Sequence, residues 1–221
     1  MMHIQSSTFD FLDDLKQNND RDWFHSHRER YESALENVTD FIAHLIDRLS
    51  IVDPHINQGI SAKKCLFRIY RDIRFSKNKQ PYKSWFAAGI SIDGRKLEGP
   101  EYYIHFGADE CYLAVGYWRP NKRHLEAIRQ EIDYDADGLL EALRKGAWNA
   151  SDLSQHDQLK RPPAGYQNDH EHIDLIKHRS FILHKELSRE QLVAGTALDT
   201  VMNSYESMLP FKMFLHTAID Q

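Results

Sequence analysis

The chain has 221 residues, with 28 Lys and Arg against 33 Asp and Glu and a formal net charge of −5. That acidic balance argues against a general nucleic-acid coat protein, and a hydrophobic fraction of 41% beside 28% charged residues reads as an ordinary soluble globular protein. Two cysteines, Cys65 and Cys111, are too few for a disulfide framework and wrongly spaced for a zinc ribbon.

No apolar run approaches the roughly 20 residues needed to span a membrane. The first residues, with Asp10, Asp13 and Asp14, lack the basic and apolar regions of a signal peptide. The expectation is a cytoplasmic protein folded as a single domain over residues 1–221.

In chain order, Ser7 or Thr8 is expected to cap a first helix ending near Lys16, with Phe9, Leu12 and Leu15 as its apolar stripe. Asp20 can cap the next helix, whose stripe is Phe24, His27, Tyr31, Leu35, Val38, Phe41, Ile42, Leu45 and Leu49. Those steps of three and four predict one helix of about 30 residues, about 45 Å long. Its other face carries Arg28, Glu32, Glu36, Asp40 and Asp47, which reads as solvated surface, and the Pro54 region closes it.

The stretch from Lys63 to Lys83 reverses the charge of the chain. It holds Lys63, Lys64, Arg68, Arg71, Arg74, Lys77, Lys79 and Lys83 against the single acid Asp72. Between Phe67 and Phe75 the pattern alternates, so the expectation is a strand with Phe67, Ile69, Ile73 and Phe75 on one side. Arg68, Tyr70, Asp72 and Arg74 then share the other. A helix competes, because Leu66, Ile69 and Ile73 also fit helical spacing, but aromatic and β-branched content favours the strand. Arg71 falls on the apolar side, where it is expected to be buried against a carboxylate such as Asp109, Glu110 or Asp169. Residues 76–83 read as a loop around Pro81.

Further strands are expected over Trp85–Ile92, Tyr102–Phe106 and Cys111–Trp118, the last two joined through Gly107-Ala108-Asp109-Glu110. Pro120-Asn121 opens a helix with Leu125, Ile128 and Ile132, and a second helix follows around Leu139 and Leu143. Residues 146–168 form a long irregular stretch, then a short helix from Asp169 leads to a last strand at Ser180–Leu187. Ser188 and Gln191 form a capping box for the final helix, with Leu192, Leu198, Val201, Met202 and Tyr205 as its stripe and Pro210 as its stop.

The run RIYRDIRFSKNKQPYKSWF resembles the signature of the domain-of-unknown-function family 2461. Four other stretches match in order: FLDDLKQNNDRDWF, YYIHF, GYWRPNKRHLEAIR and LKRPPAGYQNDHEHIDLIKHRSF. The resemblance spans nearly the whole chain, and it implies no activity.

Sequential strands with short links, flanked by helices, predict an α+β fold: an antiparallel sheet of four or five strands covered by the long N-terminal helix and the C-terminal helix. Thirteen histidines invite a metal site, but His25 and His27 on one helix point about 200° apart. His170 and His172 meet the same objection, and His105 needs partners from elsewhere. Neither HExxH, CxxC nor a carboxylate–His spacing of known metal type is present, so no metal is expected. Nucleophile elbows and phosphate-loop motifs are missing too, so no catalytic residue is assigned and no cofactor is expected.

The basic stretch remains the first candidate for binding an anion, through Arg68, Tyr70, Asp72, Arg74, Lys77, Lys79, Tyr82 and Lys83. Its bland counterpart is a salt-bridge ladder across an open sheet face. The second candidate is the loop with Arg161, Tyr166, Asp169 and His170, against the plainer account that Asp169 caps the helix after it. Two classes fit these residues. One is an enzyme or ligand-binding protein acting on a phosphorylated or otherwise anionic small molecule; the other is a non-catalytic module holding nucleic acid or an acidic protein. A membrane partner is not expected.

Overall fold

The structure, a computed structural model, describes residues 2–95 and 98–220. It is an α+β fold with one four-stranded antiparallel sheet in the sequential order β1-β2-β3-β4. The strands are β1 (Trp85–Ile90), β2 (Glu101–Gly107), β3 (Cys111–Tyr117) and β4 (Phe181–Leu187). The chain divides into two compact units: residues 2–95, 103–113 and 186–202 form the first, and residues 98–102, 114–185 and 203–220 the second.

In the first unit, α1 (Ser6–Gln17), α2 (Arg21–Ser26) and α3 (Arg28–Val52) precede a single turn, α4 (Ala62–Cys65). Helix α1 begins one residue before the expected caps, and its N-cap Gln5 makes no side-chain cap. Thr8 is instead buried, and its hydroxyl donates to Asn37 Oδ1 on α3 at 2.9 Å, so a polar pair and not a cap joins the two helices. Asp20 does cap, accepting from Trp23 N at 2.9 Å.

The expected 30-residue helix is broken at His27, where φ is −114°. His27 Nδ1 lies 2.8 Å from Trp23 O and its ring stacks on the Trp23 ring at 4.2 Å, so the side chain takes up one of the last carbonyls of α2. The apolar stripe continues across the break. Val38, Phe41, Ile42, Leu45 and Leu49 are buried on α3, each such side chain stabilising by roughly 1.5–3 kcal/mol. Phe41 meets Phe106 of β2 edge to face at 5.7 Å, which seats α3 on the sheet.

The strand expected at Phe67–Phe75 does not form as a continuous strand. Residues 66–71 do run antiparallel to 81–88 through the bridges Leu66–Ala88 and Tyr70–Tyr82. Backbone bonds from Phe67 N to Ala87 O, Lys83 N to Ile69 O and Arg71 N to Pro81 O support them. The pairing ends at Arg71, and the expected apolar side is lost by the loop tip: Ile69 is buried, Ile73 is half-buried, and Phe75 is 95% exposed. Helix α8 (Arg189–Val193) closes the unit and takes the Ser188–Gln191 capping box, which had been expected on the final helix.

In the second unit, α5 (Lys122–Tyr134) is capped by Asn121, whose Oδ1 accepts from His124 N at 2.9 Å, and α6 (Ala136–Lys145) follows. Leu153 pairs with Leu183 beside β4, and Arg129 donates to the carbonyls of Ile176 and His178 at 2.9 and 3.1 Å. The short helix expected from Asp169 is α7 (Ile173–Ile176), with His172 at its N-cap position, so Asp169 is not its cap.

Helix α9 (Ala197–Ile219) does not stop at Pro210 but carries it inside. Phe211, Leu215 and Ala218 remain buried beyond the proline, and this continued apolar stripe outweighs the missing backbone donor. Tyr205 of α9 packs on Tyr102 of β2 at 4.8 Å.

Candidate functional site

Alternation along β2 sends Ile104 and Phe106 into the core and Tyr103 and His105 to the opposite face. The hairpin register, set by Gly107 N to Glu110 O at 3.0 Å, places His105 opposite Tyr112 of β3. Their rings stack at 4.8 Å with 10° between planes, and Trp85 of β1 lies on the other side of His105 at 4.9 Å. Tyr103 Oη is 3.2 Å from His105 Nδ1. Phe67 extends the row, meeting Tyr103 at 6.0 Å and Trp85 at 6.4 Å.

His105 is 6% exposed, and burial pulls its pKa down to about 4. It is therefore a neutral ring at pH 7, an aromatic member of the row and not a cation. Burial raises the pKa of the Tyr112 hydroxyl, while its hydrogen bond with Tyr103 acts in the opposite sense.

Charge enters at the Phe67 end. Lys83 Nζ stands 4.4 Å from the Trp85 centroid and 5.7 Å from that of Phe67, and donates to Arg68 O at 2.8 Å. The Arg95 guanidinium lies 5.0 Å from the Phe67 centroid, and its Nε is buried without a hydrogen-bond partner. Burial lowers the Lys83 pKa first, and the fields of Arg68 and Arg95 lower it further. Three cations thus repel one another around an aromatic surface, the arrangement that an anion would relieve. Phe67, Arg68 and Arg95 also border a cleft of about 700 Å³ against α3.

The remaining residues of the first candidate site lie elsewhere. Tyr82 is buried, its ring stacked on Phe24 at 4.0 Å, and Tyr70 packs beside both rings. Asp72 is forked by Arg74 at 3.0 and 2.7 Å, which lowers the Asp72 pKa. Lys79 donates to Ile73 O at 3.1 Å, and Lys77 is exposed. Arg71 does not meet the expected carboxylate: half-buried, it donates to Gln80 O at 3.0 Å and reaches Ser76 Oγ at 3.4 Å. With the ladder ended, its side chain closes the loop it opens instead of entering the core.

The second candidate loop is held by structural bonds. His172 N donates to His170 Nδ1 at 3.1 Å, so His170 carries its proton on Nε2 and donates it to Asp133 at 2.8 Å. Tyr166 packs edge-on to His170 at 5.8 Å, while Arg161 and Asp169 are exposed. These bonds pin the loop to α5 in the second unit.

Five residues of the aromatic and cationic surface were missed by sequence reasoning: Trp85, Arg95, Tyr103, His105 and Tyr112. The four-residue hairpin link was the available signal, because it pairs His105 with Tyr112 by register alone.

Fold and surface together define an α+β protein with an antiparallel meander sheet and a cation-edged aromatic face. The chain belongs to the family described as conserved hypothetical protein (DUF2461), whose model matches residues 7–214. Neither a curated protein nor a solved structure matches it.

Proposed function

We propose that the protein binds a phosphorylated or otherwise anionic small molecule at Arg68, Lys83 and Arg95, with Phe67 and Trp85 flanking it. One observation carries this reading: Lys83 is held over Trp85 within the fields of two arginines, and burial first and those fields second depress its pKa. A bound anion removes that mutual repulsion, and the adjoining rings offer a flat apolar surface to the rest of the ligand. The chain carries only two cysteines, Cys65 and Cys111, both buried, and so sparing a use of thiols supports a reducing, cytoplasmic setting.

The test is a thermal shift with pyrophosphate and with phosphorylated aromatic compounds at matched ionic strength. The expected result is a saturable rise in Tm for the wild type that disappears in Arg68→Ala/Lys83→Met and persists in Arg74→Ala/Lys79→Ala. Equal, non-saturating shifts in all three would be general salting-out and would overturn the reading.

A second reading draws on the loop tip, where Phe75 is 95% exposed with the Arg74 guanidinium 5.9 Å from its centroid and Lys77 exposed nearby in sequence. An exposed ring among cations suits a non-catalytic module that stacks on single-stranded nucleic acid. Salt-dependent binding of a short oligonucleotide, lost in Phe75→Ala but kept in Arg68→Ala/Lys83→Met, would favour it over the first.

A further inference from the structure

The cleft beside the cation cluster has two walls of opposite charge. One wall is α3, with Glu32, Glu36 and Asp40; the other carries Lys63, Arg68 and Arg95; Tyr31, Leu35, Leu66 and Phe67 supply apolar lining. Its volume, about 700 Å³, is that of a small-molecule site. Glu32 is occupied by Arg28 at 2.8 Å, one turn earlier on the same helix. The carboxylates of Glu36 and Asp40, and the charged ends of Lys63 and Arg68, make no hydrogen bond or ion pair among the described residues. The two walls therefore face each other without closing.

We propose that this cleft takes a small zwitterion, its anionic end at Arg68 and Arg95 and its ammonium end at Glu36 and Asp40. The inference rests on the anion reading above and names the ligand class for that site. A simple anion seated at the basic wall is repelled by two nearby carboxylates, whereas a ligand that ends in an ammonium group turns the same carboxylates into partners. Phe67 lines the cleft while also receiving Lys83 and Arg95 at its face. Its ring and the side chains of Leu35 and Leu66 suit a short hydrocarbon spacer.

The experiment uses the full chain and two series of probes, ω-aminoalkyl phosphates of two to six carbons and the matching n-alkyl phosphates, titrated by calorimetry at constant ionic strength. At least one aminoalkyl phosphate is expected to bind about tenfold tighter than its alkyl counterpart. Glu36→Gln/Asp40→Asn, two exposed changes on a long helix, should reduce that ratio to about twofold or less and leave alkyl phosphate binding equal or tighter. A circular-dichroism melt verifies the fold of the variant. Equal binding of the two series to the wild type overturns the zwitterion while leaving the anion site standing. A ratio that survives Glu36→Gln/Asp40→Asn also overturns it, because the acidic wall is then not the receptor. Failure of both series to bind removes the anion site and the inference with it.

Discussion

Lys83 Nζ sits 4.4 Å above the Trp85 ring and donates to the Arg68 carbonyl at 2.8 Å, so one side chain ties the segment before the loop to the start of β1. Replacement by Met keeps most of the hydrocarbon stem and removes the charge. Lys83→Met is expected to weaken phosphate-type anions about tenfold, while lowering stability by no more than about 1 kcal/mol. Calorimetric titration with pyrophosphate beside a urea melt measures both, and undiminished affinity would place the anion elsewhere.

The neutral His105 gives the protein an acid-sensitive limb. Its folded pKa of about 4 lies below the ordinary 6.5, so between those values the unfolded chain takes up a proton that the folded one does not. Stability therefore falls as pH drops through that window, by on the order of 3 kcal/mol for this residue alone. His105→Gln should flatten the decline between pH 7 and 4 in urea midpoints. Parallel curves for the two proteins would show that the imidazole is solvated.

Arg189 and Asp13 form a two-pronged pair, Nη1 to Oδ2 and Nη2 to Oδ1 at 2.7 Å each, and Arg189 Nη2 also donates to Ala108 O in the β2–β3 link. The carboxylate is held below its usual pKa chiefly by this bond. Because both groups are partly exposed, Arg189→Ala is expected to cost about 1–2 kcal/mol. Arg189→Lys should recover little of it, since an ammonium cannot reproduce the fork. Full recovery by Lys in chemical denaturation would reduce the pair to simple charge attraction.

Gly116 of β3 has φ of +141°, and a Cβ there would lie 1.9 Å from Phe181 O. Gly116→Ala must push β3 from β4 and is expected to cost 3 kcal/mol or more, on the scale of severe core changes. Gly99→Ala, with open space around it, is the control and should stay within about 0.5 kcal/mol of wild type. Similar melts for the two variants would contradict the close approach.

The strands at 85–90, 101–107, 111–117 and 181–187 were legible as short apolar and aromatic runs bounded by turn chemistry; so were the caps at Asp20, Asn121 and Ser188. The failure at 67–75 has a physical cause: alternation persists in the sequence past the point where a partner strand exists, and pairing ends at Arg71. Pro210 misled for the opposite reason, as local propensity yielded to buried contacts on both sides of it. In the candidate site, Arg68 and Lys83 were visible as clustered charge. Trp85, Tyr103, His105 and Tyr112 were not, because they join only through strand register, which no single stretch displays; Arg95 lies beyond the end of β1 and reaches Phe67 only through tertiary contact.

The loop from Arg71 to Gln80 satisfies itself. Arg74 grips Asp72, Lys79 reaches back to Ile73 O, Asn78 Oδ1 accepts from Gln80 N, and Arg71 closes the neck on Gln80 O. Below the neck, the Ile69–Lys83 backbone bond sets the register without help from the tip. The tip is thus a detachable module: its length and side chains can be exchanged, or a probe grafted at Phe75, while Arg68, Lys83 and Trp85 keep their places beneath it.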